Sequence, residues 1–409
     1  LNEQAWQKWM IAWAAAIFIS LASIRRDPDG LTAAETTPGS GTRAVSARFP
    51  ASPAIREPEF SAFQEWFEKY AAALTGESQS ALEPEGVKLA VRRRAALAAL
   101  IRSDPERALG LAVSAPVRES LPASVSALLE ERISARGRLA VFTVCPEPGK
   151  EGLGPHEFRR AVIGGKSYKA FVYGRRLGEP TRADVPLSGI AVGDLLAIHP
   201  DPLRVLGPEE TPPARSRANQ TTCPICHRPS AIDHQQTAAE SGGEVILLCS
   251  PAHAAALNDQ IIFAEAGNGP GDLIPRDGGP NSWTLGEKRL LFIRVEFSDL
   301  RGTPFPDSTG INLITNLNSF YLDMSYGRTW FAAHGAGSDI TPAFLMPQNA
   351  SWYGDNDAFE QLRADARSAA AAAGYTLSNY DFDLICFGPV PGWTWLGIGA
   401  IGSAGAWLR

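Results

Sequence analysis

The spacing of apolar residues changes period along this chain, and each change predicts a different element. Phe60, Phe63, Phe67, Tyr70 and Leu74 recur at three- and four-residue intervals, which predicts an amphipathic helix. A second helical pattern runs from Pro84 to Ile101 through Val87, Val91, Leu97 and Leu100. Ser103-Asp104-Pro105-Glu106 is a capping box with proline in the first turn, opening a third helix through Leu111. Pro122 to Ile133 makes a fourth, so residues 59–136 read as a helical domain. After Gly137 the period shortens. Leu139–Val144 is a short apolar run, and Phe158–Ile163, Gly164-Gly165 and Ser167–Tyr173 read as a hairpin. Leu187–His199 and Leu203–Leu206 complete a small antiparallel sheet or barrel over residues 137–206. From residue 285 to 409, apolar strands alternate with helices, beginning at Arg289–Phe297. The expected fold class is α+β, multidomain.

Patternless stretches separate these units. Residues 26–58 are rich in Thr, Ser, Ala, Gly and Pro and read as a flexible tether; residues 207–221 and 265–284 read as linkers. Near the start, Trp9–Ile24 is continuously apolar. The run is short for a membrane-spanning helix, which needs about 20 residues, and fits the core of a signal peptide. Arg25 and Arg26 beyond it favour a retained anchor. Residues 1–25 therefore predict an exported protein (extracellular, periplasmic or at the cell surface), with membrane association through residues 9–24 if the run is kept. The chain opens on Leu1 and stops without a closing element, which reads as a fragment at both ends.

Charge adds little. With 38 basic and 44 acidic residues the net value is −6, and no concentrated basic face marks a nucleic-acid partner. Arg92-Arg93-Arg94, the one basic cluster, reads as a solvated helix face. The oligomeric state is not legible.

The cysteines change the picture more. Cys223-Pro224-Ile225-Cys226 has the spacing of a zinc knuckle, and Cys249 and His253 follow as C-x-x-x-H at a strand-to-helix transition. Residues 222–264 thus form a small Cys/His module. Cys223, Cys226, Cys249 and His253 make either a structural zinc site or, in an exported protein, a disulfide drawn from the same cysteines. Three cysteines and a histidine close a tetrahedral site, leaving no position for substrate. Cys145 and Cys386 are isolated in sequence.

Residues 285–409 resemble the start of a zinc metallopeptidase catalytic domain of the gametolysin-like and immune-inhibitor-A-like group, within the broader zincins. The resemblance is carried by Leu290–Phe297 with Ser298-Asp299, by Leu317–Gly327 with its Met324-Ser325-Tyr326-Gly327 segment, and by the long helical pattern Asp357–Ala373. Tyr380-Asp381-Phe382-Asp383 leading into a strand continues it, as do Gly397, Gly399, Gly402 and Trp407-Leu408, which are similar to the family's Gly-rich edge strand. It covers under a third of the chain. What it implies is peptide-bond hydrolysis by a zinc-activated water, with a protein or peptide as substrate. In such enzymes a helical H-E-x-x-H holds the metal, and its glutamate is the general base.

The six histidines, at 156, 199, 227, 234, 253 and 334, do not make that motif. His156-Glu157 begins it, but Arg160 stands where the second histidine belongs, and His334 reads as a surface residue. The resemblance therefore implies a truncated domain: its front half here, the zinc-binding helix beyond Arg409, and this 409-residue chain inactive. In that reading Cys145 suggests a pro-region thiolate that ligates the catalytic zinc and keeps the enzyme latent. A non-enzymatic, surface-anchored multidomain binding protein is the alternative. Asp381 and Asp383, two apart, are either a cation or acid/base pair or ordinary strand-start groups. Trp393, Trp395 and Trp407 either line a binding surface or pack a core.

Overall fold

The computed structural model describes residues 58–73, 75–147, 149, 156–207, 210–211, 222–227, 237–267, 285–302 and 304–409. The apolar run 9–24, residues 26–57 of the predicted tether and most of the two linkers lie outside these. Among the described residues, no helix is long and apolar enough to cross a membrane.

Five helices open the fold: α1 (Pro58–Ala72), α2 (Gly76–Ser103), α3 (Pro105–Gly110), α4 (Ala115–Glu119) and α5 (Ala123–Ser126). The second is longer than its apolar pattern, because Thr75 caps it by accepting the Ser78 N–H at 3.2 Å, leaving Pro84 inside the helix. The fifth is shorter than predicted. Residues 131–133 leave the helical unit to pair as strand with residues 189–191. Phe63, Trp66, Ala90, Leu121, Val125 and Leu129 form the internal core of this unit, while Phe60, Leu97 and Ile101 pack outward onto the next one. The arginine cluster corrects the solvated-face reading. Arg93 is buried against Glu130, Arg94 donates to the carbonyls of Leu128 and Leu129, and only Arg92 is exposed.

Strands β1 (Glu131–Pro146), β2 (Glu157–Ile163), β3 (Lys166–Phe171), β4 (Arg182–Val192) and β5 (Leu195–Ile198) close into a barrel in the order β1-β2-β3-β5-β4, with β4 returning to β1. The β2–β3 turn carries Gly164 and Gly165 at φ 57° and 80°, as a tight hairpin requires. Gly193-Asp194 breaks the predicted strand 187–199 into β4 and β5. The barrel interior is filled by Leu139, Ala161, Ile163, Tyr168, Leu187, Leu196 and Ile198.

A three-stranded sheet of β6 (Arg204–Val205), β7 (Thr237–Ser241) and β8 (Glu244–Leu248) follows, with helix α6 (Pro251–Gly267). Residues 204–205 thus belong to the cysteine module rather than to the barrel.

The last unit comprises β9 (Gly286–Lys288), β10 (Leu290–Glu296), α7 (Asp307–Met324), β11 (Thr329–Phe331), β12 (Asp339–Leu345), α8 (Ala350–Asp355), α9 (Phe359–Ala372), β13 (Phe382–Cys386), β14 (Trp395–Ala400) and β15 (Ala406–Leu408). Its main sheet runs β12-β10-β13-β15-β14. The first four strands are parallel and β14 alone is antiparallel. Six of the seven residues of β10 are buried, because α7 covers one face of the sheet and α9 the other.

The apparent edge at β14 is closed by the barrel. Phe142↔Ala400 through Pro146↔Trp395 pair antiparallel, so one ten-stranded sheet spans both units. Phe142 sits edge-on to Phe359 and Trp407, and Arg160 lies over the Phe359 ring at 4.5 Å while donating to the Asp357 carbonyl at 2.9 Å.

Asp299, which the sequence places just after the first strand, accepts the Ala350 N–H at 2.6 Å and the Ser351 N–H at 3.2 Å, so it caps α8 from 51 residues away. The Ala350 N–H holds its carboxyl below the usual value, aided by Ser351. A depressed folded value means that this stabilisation is present above the unfolded value of about 4 and is lost as pH falls through the folded one. Asp299→Ala is expected to lower the thermal midpoint at neutral pH, with the gap to the parent protein closing on acidification. An equal gap across that window would overturn the capping role.

Candidate metal centre

The described residues bring together one His/Cys/Asp/Glu group with metal-ligating reach: Cys223, Cys226, Cys249 and His253, whose ligand atoms all lie within 4.8 Å of one another. Local sequence explains the arrangement. Cys223-Pro224-Ile225-Cys226 makes a tight turn closed by the His227 N–H donating to the Cys223 carbonyl at 2.9 Å, with His227 in the left-handed region at φ 55°. The β7–β8 hairpin, turned by Gly242 and Gly243 at positive φ, brings Cys249 to this knuckle. Ser250 then opens α6, its hydroxyl accepting the His253 N–H at 3.3 Å, which puts His253 in the first turn facing the cysteines.

The geometry can be tested against an ion. Zinc bonds of about 2.3 Å to sulfur and about 2.0–2.1 Å to nitrogen give tetrahedral edges of about 3.8 Å between sulfurs and about 3.6 Å between sulfur and nitrogen. Cys226 Sγ and Cys249 Sγ are 3.7 Å apart, and Cys223 Sγ is 3.5 Å from His253 Nδ1. A disulfide needs about 2.05 Å; all five cysteines are free thiols, and the spacing is that of a shared cation.

Electrostatics points the same way. Burial opposes ionisation of Cys223, but the N–H groups of Cys226, Cys249 and Ile225 directed at its sulfur outweigh burial and bring the thiol down to about 6. The Cys226 sulfur beside it, together with burial, pushes Cys249 up to about 11. Cys223 is thus the sulfur its surroundings favour as a thiolate donor, and a cation would offset the upward push on Cys249. Around the ligands, Leu203, Ala239, Leu248, Ala254, Leu257 and Ile261 form a small apolar shell. The donor set and its spacing fit a closed, structural metal site.

The other candidate residues are placed elsewhere. Cys145 is 3% exposed on β1 opposite Gly397, and burial pushes its thiol up to about 12, so it is not presented as a ligand. Cys386 is fully buried in β13, and burial raises its thiol well above the usual value. His334 is exposed in a loop, and the His156 segment leads into β2, where Arg160 pairs with Asp357. Asp383 is buried and held by Arg363 at 2.5 Å and by Arg367; Asp381 accepts the Arg289 N–H at 2.8 Å. Both aspartates brace the sheet. Trp393, Trp395 and Trp407 belong to the main apolar core. Sequence reasoning did not single out Glu265 of α6, which is buried beside Arg175 and Arg176; a lone glutamate in the otherwise apolar last two turns of the helix was the available signal.

Comparison of this chain with known protein families, curated proteins and solved structures finds no match, so the centre is characterised by its own donors: a Cys3His group able to hold a metal ion.

Proposed function

We propose that the unit from residue 285 to 409 is the non-catalytic front half of a zinc metallopeptidase domain of the gametolysin-like and immune-inhibitor-A-like group, preceded by accessory units that include a structural zinc centre. The observation that carries this reading is the sheet β12-β10-β13-β15-β14. Strand β10, helix α7, helix α9, strand β13 and the Gly-rich strand β14 follow in the order that the resemblance implies, with β11 and β12 between α7 and α9. Strand β14 is the only antiparallel member of this sheet, although it pairs with β1 instead of forming an edge. In this reading the unit supplies one wall of a substrate cleft. The zinc-activated water and its glutamate base belong to an H-E-x-x-H helix encoded after Arg409. Zinc in the Cys3His module would hold α6 and the knuckle to the β7–β8 hairpin and take no part in hydrolysis, since four protein ligands leave no position for water.

The 409-residue chain is expected to hydrolyse no peptide bond, with or without added zinc, in an assay on unfolded casein. The reading frame beyond Arg409 is expected to encode H-E-x-x-H within some tens of residues, and the extended protein to cleave casein until the glutamate of that motif is replaced by glutamine. Turnover by the 409-residue chain, or a long continuation without the motif, would overturn this reading; the second outcome leaves the non-enzymatic binding protein.

A further inference from the structure

Helix α6 touches two units at once. Ala254, Leu257 and Ile261 pack on the module's apolar cluster, while Asn258 faces the β5–β6 connection and Glu265, two turns on, faces the barrel. Asn258 accepts the Leu203 N–H at 3.3 Å and donates to Asp201 at 3.5 Å. Glu265 is 8% exposed and lies beside Arg175 of the 3-10 turn Gly174–Gly178 that links β3 to β4. Its seat is poor. Arg175 Nη2 reaches one carboxylate oxygen at 3.5 Å, and the other oxygen is buried with no hydrogen-bond partner. Arg175 has a shorter contact elsewhere, with Glu179 at 2.5 Å, and Arg176 is spent on Glu179 and on the carbonyls of His199 and Pro186. A carboxylate with an orphan oxygen does not bury itself unaided.

What holds it there is the other end of the same helix. His253 and Glu265 are twelve residues apart, about 18 Å along a rigid rod. Among the described residues, the first turn is tied to the knuckle through the centre and a small apolar shell, and so small a core needs a staple. We propose that metal occupancy of the Cys223/Cys226/Cys249/His253 centre governs the docking of α6 on the barrel, and with it the burial of Glu265. This rests on the metal reading of the module and is independent of the peptidase reading. With the ion bound, the rod is anchored and Glu265 is held among Arg175 and Arg176. Without it, the helix loses its fixed end and Glu265 returns to water, leaving Arg175 to Glu179.

Hydrogen exchange on the full chain tests this, after elemental analysis has established the ion content. On chelation, protection is expected to fall roughly tenfold or more both in the C-terminal half of α6 and in Gly174–Gly178 of the barrel. In Glu265→Ala, which removes the poorly seated carboxylate, chelation is expected to loosen Gly174–Gly178 several-fold less than in the parent protein, while the ion content before chelation stays unchanged. If chelation loosens only residues 223–253, or if Glu265→Ala responds to chelation as strongly as the parent protein, the coupling is overturned. A protein that carries no ion and takes none up overturns the metal reading itself, and the coupling with it.

Discussion

Chelation of the ion is expected to expose the thiols of Cys223, Cys226 and Cys249 to alkylation while those of Cys145 and Cys386 stay protected. The separation follows from where each sulfur gets its stability. Cys145 is buried on β1 and Cys386 in the apolar cluster beneath α7, both outside the Cys/His module. The three module cysteines line a shell whose fully buried apolar members besides Cys223 are Leu203, Ala239, Leu248 and Ala254. A structural zinc site contributes an apparent 10–16 kcal/mol, about the whole stability of an ordinary domain, so so small a shell cannot replace it. Mass spectrometry after brief alkylation reads the result directly, and Cys223→Ser should reproduce it without chelator. Equal labelling of the three thiols before and after chelation would remove the ion from the account.

Glu130→Ala is expected to cost about 3–5 kcal/mol, the largest effect of a single substitution in the helical unit. Arg93 and Glu130 have side chains only 3% and 1% exposed. They meet in a two-pronged pair at 2.5 and 3.1 Å. Glu130 also accepts the Val113 N–H at 2.6 Å, and Arg93 donates to the Leu111 carbonyl at 2.7 Å beneath the rings of Phe60 and Phe63. Removing the carboxylate leaves a buried guanidinium facing aromatic rings and an amide without its acceptor. Replacing both partners by apolar residues, as in Arg93→Met with Glu130→Leu, should recover much of the loss, because the pair's own desolvation disappears with it. Urea unfolding measures both. A cost below about 1 kcal/mol for Glu130→Ala would mean that solvent reaches the pair.

These two sites differ in how far the sequence disclosed them. The cysteine spacing is chemistry written in local order: C-x-x-C and C-x-x-x-H are each set by one turn of backbone, so the ligands could be named, and only their choice between an ion and a disulfide needed distances. Helix α9 and strand β10 were likewise legible, because an element covered on one face or on both leaves its pattern in the residues. Arg93 was not. A charged residue in a helical pattern looks solvated until its partner is known, and Glu130 lies 37 residues away. The same holds for Asp299 with Ala350 and for Glu265 with Arg175, whose partners meet only in the folded chain. Strand β1 shows a further limit. Its first half reads as the tail of a helix by composition, yet pairing with β4 makes it strand.

That strand also bears on how this protein came to be assembled. Composition divides the chain into tidy segments of the kind that recombination exchanges between genes. Residues 131–146 cut across that division, since one end of the strand closes the barrel and the other completes the sheet that begins 144 residues later at Leu290. A polypeptide started at residue 285 would present β14 as a bare hydrogen-bonding edge and open the aromatic cluster around Phe359 and Trp407 to water. Barrel and α/β unit must then be inherited together, and a relative carrying one without the other would need a different strand in that place.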